Sequence, residues 1–207
     1  MFKTNGIFST PITIKENVFQ FNNNQIKDYL SFEIGYKNGE KGSFLSKDYY
    51  ILNSVNLIEI KKILNKEIMI YEKEVLGFKS NSLYITNSWF SKIEKGGYHP
   101  IHNHPNSFIS GVCYLNVPSK SEKIYFHHRS ALFNKFDFYL KEKVSNQFNE
   151  DNFQFEVKTG DLLFFPSWIN HSVGVNMENN QRLVLAFNCF IKGFFGDNVY
   201  PNNLEIK

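Results

Sequence analysis

Cysteine is scarce in this chain, two residues in 207 (Cys113 and Cys189), which excludes a disulfide scaffold and suits a reducing compartment. Long apolar runs are missing altogether. None approaches the roughly 18 residues that a membrane span needs, and the mean hydropathy of -0.35 agrees. The opening Met1-Phe2-Lys3-Thr4-Asn5-Gly6 has neither the apolar stretch nor the small-residue cleavage site of a secretory signal, so a cytoplasmic location is the expectation. Charge of one sign is also lacking. A net charge of +3 leaves no basic stripe that would argue for nucleic acid. No internal repeat, Pro-rich linker or low-complexity tract divides the sequence. We therefore expect a single domain over 1–207, with a supporting segment over 1–80 and a core over 81–195. Oligomeric state stays open.

Aromatic residues are abundant, at 17% with 22 Phe and 11 Tyr, which is ample core material and excludes a disordered chain. Arginine is rare: Arg129 and Arg182 stand alone among lysines. Each therefore raises the question of whether its position needs a planar fork rather than a point charge.

The periodicity predicts a helix over Leu57 to Leu76, with the stripe Leu57, Ile60, Leu64, Ile68, Tyr71 and Val75 facing a sheet. Asn56 with Glu59 supplies a capping pair, and Gly77 a stop. Phe8 to Ile14, interrupted by Pro11, suggests an edge strand. Asn22-Asn23-Asn24 marks a turn. From Leu83 to Ile93 the period becomes two, and further strands are expected at 107–115, 123–127, 153–157, 161–166 and 182–191. Many short strands after a helix predict a mainly β protein, a jelly roll with a supporting N-terminal helix. Leu132 to Asn152 has no clear period and could be an insertion over the mouth of a barrel.

The 6 histidines carry the chemistry. In His102-Asn103-His104 a spacing of two would put both imidazoles on one face of an extended strand. The segment Gly160 to His171 ends a hydrophobic strand in a turn that presents another histidine. Two ligands from one strand and a third from a distant one make a facial metal site with open positions, which imidazole suits for iron, copper, nickel or zinc. Arg182 heads the next strand, and its face continues with Val184, Ala186 and Asn188. That face would line a barrel interior and direct a guanidinium inward, where a carboxylate fits its fork. His99 reads as a turn residue on the surface, with a ligand or substrate contact as the alternative. His127-His128-Arg129 reads as a strand end or an anion contact. Trp89 and Trp168 read as core, with Trp168 near enough to His171 to wall a pocket. Cys113 reads as an apolar filler.

The clusters Asn87-Ser88-Trp89-Phe90, Gly97 to Ser107, Ser110 to Asn116, Phe165 to Trp168, His171-Ser172-Val173, Arg182 and Phe187-Asn188 resemble Fe(II)/2-oxoglutarate-dependent oxygenases related to prolyl 4-hydroxylases. The resemblance covers about the last 120 residues, and before them only the helix is similar. It implies a double-stranded β-helix, with Fe(II) and 2-oxoglutarate as cofactors and O2 and an unidentified substrate as partners. The implied reaction couples decarboxylation of 2-oxoglutarate to succinate and CO2 with C–H hydroxylation. By the same resemblance, His102 matches the first iron ligand, His171 the last, Arg182 the anchor of the distal carboxylate and Tyr114 a hydrogen-bonding partner of the cosubstrate. His104 departs from the pattern, since most relatives carry Asp or Glu two residues after the first histidine. A neutral His104 as third ligand would leave Fe(II) its full charge, which the cosubstrate dianion could offset.

A cupin-type metalloprotein is the alternative: an isomerase, a cosubstrate-free dioxygenase or a small-molecule binder. Cupins usually place Glu three or four residues after His-x-His, whereas Ser107 and Phe108 stand here, and Arg182 would have no role.

Overall fold

Two antiparallel sheets meet face to face, and helices cover the outer face of the larger one. The computed structural model describes residues 9–37, 42–79, 82–121, 123–127, 146, 150, 152–196 and 203–207. His128, Arg129 and nearly all of the 132–152 segment lie outside them. The elements are β1 (Thr13–Lys15), α1 (Asn23–Leu30), β2 (Ile34–Lys37), β3 (Ser43–Ser46), α2 (Ile58–Glu74), β4 (Leu83–Ile93), β5 (His99–His102) and β6 (Ile109–Asn116). There follow β7 (Lys123–His127), β8 (Asn152–Glu156), β9 (Leu162–Pro166), β10 (Asn170–Val173), β11 (Arg182–Ile191), β12 (Gly193–Phe195) and β13 (Leu204–Ile206). The major sheet runs β1-β9-β6-β11-β4-β3-β2 and the minor sheet β5-β10-β7-β8. This is the expected double-stranded β-helix.

Side-chain alternation sorts the major sheet into two cores. On β11, Leu183, Leu185, Phe187 and Cys189 join Ile60, Leu64, Ile68 and Tyr71 of α2 in the helix-side core. Val112, Tyr114, Leu163 and Phe165 point the other way and pack against Ile124 and Phe126 of the minor sheet. Buried on both faces, β9 is apolar throughout (Leu162-Leu163-Phe164-Phe165-Pro166), as a covered central strand must be. On β4 the alternation changes parity. Register against β11 shifts between Asn188 and Cys189, leaving Thr86 as the extra residue, its hydroxyl bonded to the Asn188 carbonyl at 3.2 Å. Above this bulge Phe90 faces the helices; below it Leu83 and Ile85 do. The single unbroken face read from the sequence is thus corrected.

The helix and edge-strand expectations need smaller corrections. β1 does pair at the sheet edge with β9, beginning after Pro11. Asn56 does not cap α2. It sits in the 3-10 turn Val55–Leu57, and the cap position Leu57 offers no side-chain hydrogen bond. Gly77 ends the helix region at φ +71, a backbone state that glycine adopts without steric cost. Asn22 is more than a turn residue: it caps α1 in a reciprocal box with Gln25.

Gly111 on β6 stands directly opposite Phe187 of β11 in the major sheet. A Cβ there would sit 2.1 Å from the Phe187 ring, which is fully buried and edge-on to Phe164 at 6.0 Å. Gly111→Ala is expected to cost about 1–3 kcal/mol or more through overpacking, read as a lower urea midpoint at unchanged slope.

Candidate metal centre

β10 pairs with β5 so that His171 stands opposite His102, which brings their ring centroids to 4.2 Å. His104 is not on the strand, contrary to the spacing argument, because β5 ends at His102. Its loop is held instead by backbone bonds, His104 N–H to the Ser167 carbonyl at 3.0 Å and Ser167 N–H to the Phe108 carbonyl at 3.1 Å. The turn so fixed still delivers the imidazole, 5.0 Å from the His171 ring and 5.4 Å from that of His102. One ring nitrogen from each histidine lies within 4.8 Å of the others, a cluster that could hold a metal ion.

The hydrogen bonds decide which nitrogen that is. His102 Nδ1 donates to the Pro100 carbonyl at 2.8 Å and His171 Nδ1 to the Ile169 carbonyl at 3.2 Å. His104 Nδ1 lies 2.8 Å from Asn188 Oδ1 and 2.7 Å from Ser110 Oγ. A carbonyl can only accept, so the proton stays on Nδ1 of His102 and His171, and the same tautomer suits His104 beside the Asn188 amide oxygen. That leaves the Nε2 lone pair of each ring available, a donor set that could hold a first-row divalent ion.

Burial keeps these rings neutral. It pushes His104 down to about 4, with the charge of His102 adding to the effect. His171 is held well below its ordinary value by burial and then by His102 and His104, and burial also lowers His102. The unfolded chain, with histidines near 6.5, thus takes up protons that the metal-free fold refuses. Stability of the metal-free protein is expected to be complete above pH 6.5 and to fall as pH drops from there toward 4. The slope is about 1.4 kcal/mol per pH unit for each such histidine, measurable as the midpoint of urea unfolding across that range.

Arg182 points inward, as its strand face predicted. It is 2% exposed and lines the same cavity as the three histidines, a space of about 240 Å³. Its guanidinium carbon lies 5.1 Å from the Tyr114 ring centroid. Burial pushes the Tyr114 hydroxyl up to about 12, against the opposing charge of Arg182, so this phenol keeps its proton. Val112, Ile124, Val184 and Ala186 are among the apolar residues of the cavity walls.

Other residues fall elsewhere than expected. His99 is no surface residue. It lines the cavity with its ring 4.4 Å from that of His102, and burial takes it down to about 3. Strict alternation would separate positions 99 and 102, but the β5–β10 register shifts between His171 and Val173, and no residue type announces that irregularity. Trp89 lines the cavity, 5.5 Å from the His104 ring, whereas Trp168 is 46% exposed and does not wall it. His127 bonds Ser172 Oγ at 2.8 Å, away from the triad. Cys113 is fully buried in the helix-side core, as a filler should be.

The sequence model of a family described as "Putative 2OG-Fe(II) oxygenase" matches residues 87–188. No curated protein sequence matches the chain. Among solved structures, HygX from Streptomyces hygroscopicus with nickel and 2-oxoglutarate bound is similar at 12% identity and TM-score 0.58, over 87% of this chain and 82% of that one. The epimerase SnoN from nogalamycin biosynthesis gives 12% and 0.61, over 93% and 83%. A Pseudomonas putida prolyl-4-hydroxylase gives 12% and 0.55, over 89% and 95%. At such identities the structural likeness speaks for the fold, and the sequence match covers every residue of the histidine cluster together with Tyr114 and Arg182. Residues 87–188, just under half of the chain, thus carry the sequence pattern of the 2OG-Fe(II) oxygenase family on a fold that agrees with it.

Proposed function

We propose that this protein is an Fe(II)/2-oxoglutarate-dependent dioxygenase that hydroxylates a C–H bond, with His102, His104 and His171 as the iron ligands. Arg182 and Tyr114 hold the 2-oxoglutarate. The observation that carries this reading is one cavity lined by three imidazoles with available Nε2 atoms and by a buried guanidinium. The donor set fits the metal, and a permanently charged fork beside it fits a dicarboxylate. With O2, the iron and cosubstrate supply the oxidising chemistry, in which 2-oxoglutarate becomes succinate and CO2 and one oxygen atom enters the substrate.

The chain's own groups hold, orient and dry the site. Pro100, Ile169 and Asn188 fix the imidazole tautomers. Arg182 offers two parallel N–H groups to the distal carboxylate, and Tyr114, protonated, donates a third bond. Val112, Ile124, Val184 and Ala186 keep water from the reacting centre. His104 in place of a carboxylate leaves charge balance to the cosubstrate dianion. HygX with nickel and 2-oxoglutarate bound supports the cofactor assignment by likeness of fold. SnoN is an epimerase and SnoK a carbocyclase, so hydroxylation rests on the prolyl-hydroxylase-like Tyr114-Leu115-Asn116. The cupin alternative gives Arg182 no task.

Anaerobic titration with Fe(II), with and without 2-oxoglutarate, tests the reading. A visible metal-to-cosubstrate charge-transfer band is expected only when both are present. Its absence, with iron bound, would overturn the cosubstrate assignment.

A further inference from the structure

We propose that the β2–β3 hairpin extends the metal site into an apolar recognition ledge that receives an uncharged, largely apolar ring or alkyl segment of the substrate. The proposal rests on the oxygenase reading for its purpose, but its geometry stands apart from it. Register connects five strands in one cross-sheet row: Tyr36 opposite Leu45, Leu45 opposite Ser91, Ser91 opposite Val184 and Val184 opposite Tyr114. All five residues line the cavity that holds the histidines. Four strand spacings of about 4.8 Å make the row roughly 19 Å long. Tyr114 and Val184, beside Arg182, form the cosubstrate end. The other end, Leu45 and Tyr36, belongs to the supporting segment and precedes the family-matched residues 87–188.

Charge decides what this far end can take. The described lining residues include no Asp, Glu or Lys, and Arg182 is the one permanently charged side chain among them. Its position commits it to the cosubstrate end. An ionised substrate group drawn over Leu45 would lose water without gaining a partner. An apolar group would gain contact with Leu45, Trp89 and the Tyr36 ring, while Ser91 and the Tyr36 hydroxyl could each serve one polar substituent. The cavity of about 240 Å³ is smaller than pockets that engulf a whole ligand of drug size. A segment enters, and the rest of the substrate stays outside. Tyr36, 55% exposed, stands where the ledge meets solvent.

N-phenyl-1-naphthylamine, an uncharged aromatic dye that brightens in apolar surroundings, is a suitable probe. It is titrated into the full chain, metal-free and again with Zn(II) and 2-oxoglutarate, while calorimetry follows Zn(II) and 2-oxoglutarate binding separately. Wild type is expected to bind the dye in both states. Tyr36→Ser should raise its dissociation constant roughly three- to tenfold, the worth of an aromatic contact, and Leu45→Gln by about as much. Zn(II) and 2-oxoglutarate affinities should not move in either. Tyr36 is exposed enough that its replacement leaves folding intact, and Tyr50→Ser, an exposed tyrosine outside the cavity, should change nothing. Absence of dye binding, equal affinity in wild type and Tyr36→Ser, or displacement of the dye by 2-oxoglutarate would each overturn the ledge. Dye binding that depends on Tyr36 in a protein that binds neither Zn(II) nor 2-oxoglutarate would sustain the ledge and overturn the oxygenase reading instead.

Discussion

Arg182→Ala is expected to raise the 2-oxoglutarate dissociation constant roughly thirty-fold or more while iron affinity stays near wild type. Arg182 is almost fully buried beside the histidine cluster, where water does little to screen a carboxylate pair. Truncating one side of such a pair costs on the order of 2–5 kcal/mol, much of it from the charge left unmatched. Arg182→Lys keeps the charge but loses the planar fork, so it should recover part of the affinity. It also guards against misreading a fold defect in the alanine variant as lost recognition. Isothermal titration with 2-oxoglutarate on the Zn(II)-loaded protein provides the measurement. Equal affinity in wild type and Arg182→Ala would remove the anchor role and return weight to the cupin alternative.

His171→Ala is expected to abolish tight metal binding, by more than about 100-fold, since loss of a ligand should exceed the 10–100-fold typical of losing a residue that merely supports one. His171 stands opposite His102 across the β5–β10 pair and is the member of the cluster that β10 supplies. His104→Ala asks a separate question, because this position departs from the family's acidic residue. A large loss of Zn(II) affinity is expected there too, whereas His104→Asp should retain binding and lower the charge of the site. Wild-type affinity in His104→Ala would replace the three-histidine site with a two-histidine one. Far-UV circular dichroism of each variant separates lost ligation from lost fold.

The candidate site was legible because its chemistry is concentrated in rare residues. Two arginines and 6 histidines in 207 positions leave few ways to place a guanidinium beside a histidine cluster, and Arg182 faces the cavity on the strand alternation that predicted it. What escaped the sequence depends on irregular backbone. His104 reaches the cluster from a loop, through backbone bonds at Ser167 and Phe108. His99 reaches the cavity through a register shift, where its spacing from His102 predicts the opposite face. β2 and β3 have no strong period of their own, because β2 is exposed along its whole length, and their place in the cavity follows from pairing with β4. α1 was hidden in an asparagine run whose capping chemistry is shared with turns.

The extra residue at Thr86 has a consequence for which length changes this chain can absorb. Insertions and deletions are usually tolerated in surface connections, but a deletion here would restore an unbroken alternation along β4. The strand would then have to rotate one of its halves. Either Leu83 and Ile85 leave the helix-side core, or Trp89, Ser91 and Ile93 turn away from the cavity. Substitution at Thr86 leaves the residue count unchanged, so the face switch should persist, at the cost of the hydroxyl's bond to the Asn188 carbonyl. A library of single-codon deletions along β4 would thus find Thr86 among the least dispensable positions, while point substitution of the same residue is mild.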